Sequence, residues 1–276
     1  MIKQAIIPLA GLGTRLLPLT SVFAKELLPI NGKPGLEYIL DECIDAGINE
    51  IIFIISKKKI MIKDYFFNDK IFKKIIKRNK DPRIISEYKK ILKYRKMIKF
   101  VYQNKALGTG DAVLKTKKYI KDKYFLMLLP DDLIIKKNCS KEMIKINKKY
   151  NCSVMASMKV NKKSVSRWGI YDVKRKLDKN NFEINSVIEK PSVGLAPSNN
   201  AVIGRYILPK EVFNKISKLK PGAGHEIHIT DAIQSLIDDN NKFIGHNFSG
   251  KYLDCGTMNG YINSTLEIAK IWNYVW

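Results

Sequence analysis

The sequence predicts an α/β protein built on a doubly wound sheet, and two observations carry that prediction. Short continuous apolar runs alternate with segments whose apolar residues recur at helical spacing. That is the pattern of strands buried on both faces and joined by crossover helices. Three of the runs end in turns with chemistry of their own: Gly11 and Gly13 after the first, Gly108 and Gly110 after the third, Asp131 and Asp132 after the fourth. Ligands of such sheets sit beyond the carboxyl ends of the strands, so the three turns belong to one edge.

In chain order, Ala5-Ile6-Ile7-Pro8-Leu9 reads as a buried strand. Residues 34–47 read as a helix. Pro34 opens it, Leu36, Ile39, Leu40, Cys43 and Ile44 form its apolar stripe, and Gly47 stops it. A second buried strand follows at 50–56. Helix is expected over 59–67 and again over 68–98, broken at Asp81-Pro82. Residues 98–103 are a third strand, 108–120 a helix behind a glycine pair, and 124–130 a fourth strand. The second half is richer in strands, at 152–160, 169–173, 182–190, 201–208 and 242–248, with helices at 210–218, 226–240 and 257–272. Neither a low-complexity linker nor an internal repeat divides the chain, so both halves are expected to share one sheet.

Composition narrows the function classes. A chain of 276 residues, 45% hydrophobic, can bury a core without staples and is not disordered. No apolar run approaches the ~18 residues of a membrane span, and the N-terminus passes straight into the glycine turn without a signal-peptide pattern. A cytoplasmic protein with no membrane partner is expected. Cys43, Cys139, Cys152 and Cys255 lie far apart and suggest reduced thiols. His225 and His228 stand three apart, but no third ligand type accompanies them, so no zinc site is expected. The net charge of +24 is concentrated in residues 57–99, which hold 17 Lys/Arg and 4 Asp/Glu. Lysines are nevertheless strewn over almost every segment. That favours compositional drift over a stripe that binds nucleic acid, so a nucleic-acid partner is not expected.

The opening turn, AGLGTR at 10–15, is neither a Walker A motif, lacking G-K-[S/T], nor GxGxxG, since Leu16 replaces the third glycine. Paired glycines after a buried strand still let backbone N–H groups approach a phosphate closely. Arg15 adds a fork of donors and Lys25, in AKELLP, a point charge. With these residues in place the chain resembles the nucleotidyltransferases that make nucleotide sugars, and among them the bacterial UTP–glucose-1-phosphate uridylyltransferases. The blocks IPLAGLGTRLLPLT, AKELLPINGKP, QNKALGTGDAV, LLPDD, VIEKP, APSNNAVIGRYIL, PGAGHEIHITDAI and DCGTMNGY carry the resemblance, in the family's order, over nearly the whole chain.

The resemblance implies a Rossmann-like mixed sheet of the nucleotide-diphospho-sugar transferase type, one domain over 1–276. Its nucleotide half is 1–135, including a basic helical insert at 57–98. Its sugar-phosphate half is 136–256, and a C-terminal helix covers 257–276. It further implies Mg²⁺-dependent conversion of UTP and glucose 1-phosphate to UDP-glucose and pyrophosphate. Arg15, Lys25, Asp131 and Lys190 would be catalytic. Ala10, Gly11, Leu12, Gly13, Thr14, Glu26, Gln103 and Gly108 would bind the nucleotide. Gly169, Glu189, Lys190, Gly204 and Arg205 would face the sugar phosphate, and Asp131 with Asp254 would hold Mg²⁺. A homo-oligomer, dimer or tetramer, is the family's expectation. A dTTP-dependent sister activity, another sugar 1-phosphate, and an inactive nucleic-acid-binding protein on the same fold are the alternatives.

Overall fold

The computed structural model describes residues 1–222 and 225–271. Along the chain, β1 (Gln4–Pro8) leads to a small hairpin of β2 (Pro29–Ile30) and β3 (Lys33–Pro34), then α1 (Gly35–Asp45) and β4 (Glu50–Ile55). The insert follows as α2 (Ile60–Phe67), α3 (Lys70–Arg78) and α4 (Pro82–Arg95), with Pro82 at the first helical position and Asp81 capping it. Next come β5 (Ile98–Tyr102), α5 (Gly108–Leu114), β6 (Tyr124–Leu128), β7 (Asp132–Ile135) and α6 (Cys139–Tyr150). The second half runs through β8 (Ser153–Lys159), β9 (Gly169–Lys176), β10 (Asn181–Glu189), β11 (Asn200–Pro209), α7 (Val212–Ile216), α8 (Ile229–Asp238), β12 (Phe243–Asn247), β13 (Lys251–Asp254) and α9 (Met258–Ile271). Of the C-terminal helix placed at 257–276, residues 272–276 lie outside the described residues, as do Ala223 and Gly224 of the PGAGHEIH block.

Nine strands form one sheet in the order β5-β4-β1-β6-β11-β8-β12-β10-β9. The first four are parallel, β6 and β8 flank β11 antiparallel, and the β9–β10 hairpin closes the far edge. Both halves therefore share one mixed sheet. Alternate residues of each central strand feed opposite cores. In β4, Ile51, Phe53 and Ile55 join the core that contains α1, α2, α4, α6 and α9, whereas Ile52 and Ile54 join the core of α5, α7 and α8. Burial on both faces is why these strands read as continuous apolar runs. Among the described residues no helix is long and apolar enough to cross a membrane, and all four cysteines are free thiols.

The sequence reading misses α6. Asn138 caps it by accepting the Lys141 N–H at 2.8 Å, and Cys139, Met143 and Ile146 supply its buried stripe. Its five lysines and asparagines at interior positions obscure a stripe of only three apolar anchors. The pair β7–β13 is also unanticipated. Each is four residues long, too short for period-two alternation to stand out, and they pair Asp132 with Asp254. The helix expected over 108–120 ends at Leu114.

The insert is held to the sheet by aromatic packing and by acids of α1. Phe66 packs against Phe53 of β4, and Phe67 against Phe100 of β5. Glu37 accepts from the Tyr65 hydroxyl at 2.5 Å and from Lys90 Nζ at 2.6 Å, while Asp41 accepts from the buried Tyr94 hydroxyl at 2.6 Å. Within the insert Asp69 ties α3 to α4 through Tyr88 (2.8 Å) and Arg95 (3.0 Å). The Tyr88 hydroxyl, Arg95 and Lys73 hold its carboxyl at about 2, down from 3.8. A depressed carboxyl stabilises the fold above its unfolded value and ceases to do so as pH falls through its folded value. Acidification from pH 4 to about 2 should therefore loosen α3 before the sheet. In amide hydrogen exchange, Asp69→Asn should show that looseness already at neutral pH and lose the acid-dependent step. Unchanged protection of α3 in the variant would contradict this role.

Candidate active site

The β1 strand delivers the chain into a turn that bends at Gly13, whose φ is 71°, and Thr20 braces it by donating to the Gly13 carbonyl at 2.8 Å. A cleft of about 440 Å³ opens above this turn, lined by residues 10–14, Lys25, Glu26, Gln103, Gly108, Pro130, Asp131 and Glu226. The three turns singled out in the sequence thus meet at one edge, beyond β1, β5 and β6. Asp131 lies at the centre. Its Oδ2 accepts from Lys25 Nζ at 2.7 Å and from Arg15 Nη2 at 3.2 Å. Burial pushes the Asp131 carboxyl up, but the Lys25 ammonium and the Arg15 guanidinium outweigh it and hold the group below the ordinary carboxylate range.

Asp132 has a different environment and a different role. Its oxygens accept the Gly204 N–H at 2.8 Å and the Tyr252 hydroxyl at 2.7 Å, and burial together with the Asp131 charge raises its carboxyl. The β7–β13 pairing brings Asp254 to the same place. A Cβ built on Gly256 would fall 2.8 Å from Arg15 Nη2, 2.8 Å from Asp131 Oδ2 and 3.2 Å from Asp254 Oδ1, so a larger residue there would push these side chains apart. Asp131 and Asp254 thus each place an oxygen within 3.2 Å of one point, and two such carboxylates suit Mg²⁺, which takes one or two protein carboxylates and completes its shell with phosphate and water. His225 and His228 join no group of three potential metal ligands among the described residues.

The residues expected on the base side are held equally closely. Gln103 is buried and donates its Nε2 to the Gly108 carbonyl at 3.1 Å and to Asp111 Oδ2 at 2.8 Å. Two acceptors on one side settle which way the amide points and leave its oxygen as the group offered to a ligand. Gly108, at φ 93°, packs so tightly on Ile227 that a Cβ would lie 2.5 Å from the Ile227 carbonyl oxygen.

Two of the site residues expected from sequence take other parts. Arg205 does not border the pocket. It is fully buried, pairs with Glu42 at 2.9 Å, and donates to the carbonyls of Leu129 (3.2 Å), Gly204 (3.0 Å) and Asp132 (2.6 Å). With every donor group engaged inside the protein, it braces the turn that carries Asp131. Glu26 lines the cleft but gives both carboxylate oxygens to Lys59, at 2.7 and 2.8 Å. Of the remaining sugar-side residues, Gly204 sits on β11 against Asp132, whereas the others gather at the open end of the β9–β10 hairpin, where Gly169 pairs with Glu189 and the Lys190 N–H donates to the Trp168 carbonyl. Glu189 and Lys190 are exposed, with an ion pair of 3.5 Å between them, and lie outside the lining of the 440 Å³ cleft. Trp168 packs edge-on against Tyr252, which links this end to Asp132.

The chain matches the nucleotidyl transferase family over residues 4–271. It belongs to that family. This nucleotidyl transferase is 36% identical over 269 residues to UTP–glucose-1-phosphate uridylyltransferase 2 of Staphylococcus saprophyticus, covering 97% of this chain and 92% of that one. It is 35% identical, with the same coverage, to the UTP–glucose-1-phosphate uridylyltransferase of Staphylococcus epidermidis. Among solved structures it resembles a UDP-glucose pyrophosphorylase complexed with UDP-glucose (TM-score 0.87, 34% identity, 99% of this chain and 100% of that one). It also resembles the UTP-bound enzyme of Acinetobacter baumannii (TM-score 0.89, 30% identity, 99% and 95%).

Residues that the motifs did not point to hold the transferase's cleft residues: Glu42 pairs with Arg205, Asp111 with Gln103 and Lys59 with Glu26. Glu42 carried a signal, a carboxylate set between Leu40 and Cys43 on an apolar helix stripe. Asp111 follows the glycine pair but has no spacing that ties it to Gln103. Lys59 is indistinguishable from Lys57 and Lys58 in the sequence. Arg205→Met should cost about 3–5 kcal/mol in urea denaturation, because it leaves the Glu42 charge in the interior without its cation and held, among the described residues, only by Ser140. The pair Arg205→Met/Glu42→Met should recover most of that stability yet transfer nucleotidyl groups about tenfold more slowly, since nothing then holds the Leu129 and Asp132 carbonyls. Full activity in the stable double variant would show that the brace does not matter to the site.

Proposed function

We propose that this nucleotidyl transferase joins UTP and glucose 1-phosphate into UDP-glucose with release of pyrophosphate. The observation that carries the reading is the convergence of the glycine turn, the Lys25–Asp131–Arg15 cluster and the oriented Gln103 on one cleft. Relatives of matching length that bear the uridylyltransferase name, and solved neighbours holding UTP or UDP-glucose, support it.

Each group has a task. Backbone N–H groups of residues 11–14 and the side chains of Arg15 and Lys25 would receive the triphosphate. The Gln103 oxygen would accept N3–H of uracil, a proton that cytosine lacks. Glu189 and Gly169 would meet the sugar, and Lys190 its phosphate, so that residues 1–135 serve the nucleotide and 136–256 the sugar phosphate. A phosphate oxygen of glucose 1-phosphate attacks the α-phosphorus of UTP, a new P–O bond forms, and the bond to the β-phosphate oxygen breaks as pyrophosphate leaves. The nucleophile is already ionised, so no general base is needed. Positioning and charge stabilisation do the work. Asp131 and Asp254 would hold Mg²⁺, which would neutralise phosphate charge. Asp131, kept ionised by its cationic neighbours, is suited to that task, and Lys25 and Arg15 would pass from the carboxylate to phosphate oxygens.

Pyrophosphate release with Mg²⁺, glucose 1-phosphate and each nucleoside triphosphate in turn tests the reading. UTP should be preferred strongly over CTP, ATP and GTP, and dTTP should be the best of the others, because one methyl gives weak discrimination. Preference for a purine triphosphate would overturn it. Lys25→Ala and Asp131→Asn should each lower turnover by about 100-fold or more in a folded protein. Asp111→Leu, which frees the Gln103 amide to flip, should shrink the UTP-over-CTP preference by about tenfold while leaving the melting temperature within a few degrees.

A further inference from the structure

Lys59 stands at the start of the insert, one residue before α2. Its neighbours Lys57 and Lys58 are exposed, as drift towards lysine would leave them, but Lys59 is buried. Burying an ammonium is costly unless it is paired, and this one is paired twice, with both oxygens of Glu26. The two side chains are 10% and 1% exposed. Close by, the Met61 sulfur accepts the Ala24 N–H at 3.1 Å. The insert therefore grips the chain on both sides of Lys25, the residue whose ammonium reaches Asp131. Buried ion pairs add little net stability compared with an apolar pair of equal volume, but they do impose one geometry. The tight turn Lys25–Leu27 is closed by single backbone bonds, from Leu27 to the Ala24 carbonyl and from Leu28 to the Lys25 carbonyl. Glu26 is the buried residue of that turn, and Lys59 holds both of its carboxylate oxygens.

We propose that Lys59 is the positioning residue for Lys25: by holding both oxygens of Glu26 it sets the turn from which the Lys25 ammonium reaches Asp131 and the triphosphate. The catalytic part of this rests on the uridylyltransferase reading; the geometric part does not. It also gives the basic insert a function, through one of its lysines.

The test uses Lys59→Met/Glu26→Gln, which removes both charges at similar volume and so avoids stranding one of them. The folded variant should show kcat lowered about tenfold. In a Lys25→Ala background the same pair should cost less than about twofold more, because the group it positions is already gone. A normal kcat, or a loss that simply multiplies with that of Lys25→Ala, would overturn the proposal. A second readout needs no turnover: the acetylation rate of the Lys25 amine, followed by peptide mass spectrometry. Release from its fixed position beside Asp131 should raise that rate about threefold or more, and an unchanged rate would count equally against the proposal. If the unaltered protein turns over no substrate pair, the functional reading fails and the acetylation rate alone decides the positioning.

Discussion

Arg205 and Glu42 form a buried ion pair at the junction of α1, β11 and the turn between β6 and β7. The guanidinium is closed to solvent and spends its remaining donors on the carbonyls of Leu129, Gly204 and Asp132. The Leu129 and Asp132 carbonyls lie on either side of Asp131, so the arginine holds the polypeptide around the residue at the centre of the cleft. Ser140, at the start of α6, donates to Glu42 Oε1 at 2.5 Å and brings a second helix into the arrangement. A charge in an apolar interior tolerates only the geometry that keeps it paired, and this constraint passes from helix to strand to turn.

The same logic separates two adjacent carboxylates. Asp131 meets two cations at the cleft, and Asp132 meets a backbone N–H and a tyrosine hydroxyl behind it. One faces the cleft between Lys25 and Arg15. The other locks β7 to β11 and β13. Lysine is abundant throughout the chain, but abundance is not function. Most lysines are solvated, whereas the side chains of Lys25 and Lys59 are 15% and 10% exposed and each is paired with a carboxylate.

Much of this was legible beforehand. Strands buried on both faces announce themselves as apolar runs, so β1, β4, β5 and β6 and the edge where Gly11, Gly108 and Asp131 meet could be read directly. The nucleotide-side residues lie on turns whose types, glycine and acid, differ sharply from the strands before them. Arg205 was misplaced because an arginine beside a glycine at the end of an apolar run looks the same whether it faces a ligand or the interior. Its partner, Glu42, lies 163 positions away. The α6 stripe is crowded by lysine and asparagine, and β7 and β13, four residues each, are too short to show alternation.

What the sequence determined by itself was the alternation of elements, the edge at which chemistry would collect, and the residue types available there. Those properties depend on near neighbours along the chain: the period of burial, the freedom of glycine and the rigidity of proline. Only the tertiary structure decided the partners: Arg205 with Glu42, Glu26 with Lys59, Gln103 with Asp111, Asp254 with Asp131 across Gly256. Each pairing joins charges or polar groups from separate elements. Whether such a group faces water, a ligand or another charge is settled by long-range packing, to which local periodicity is blind.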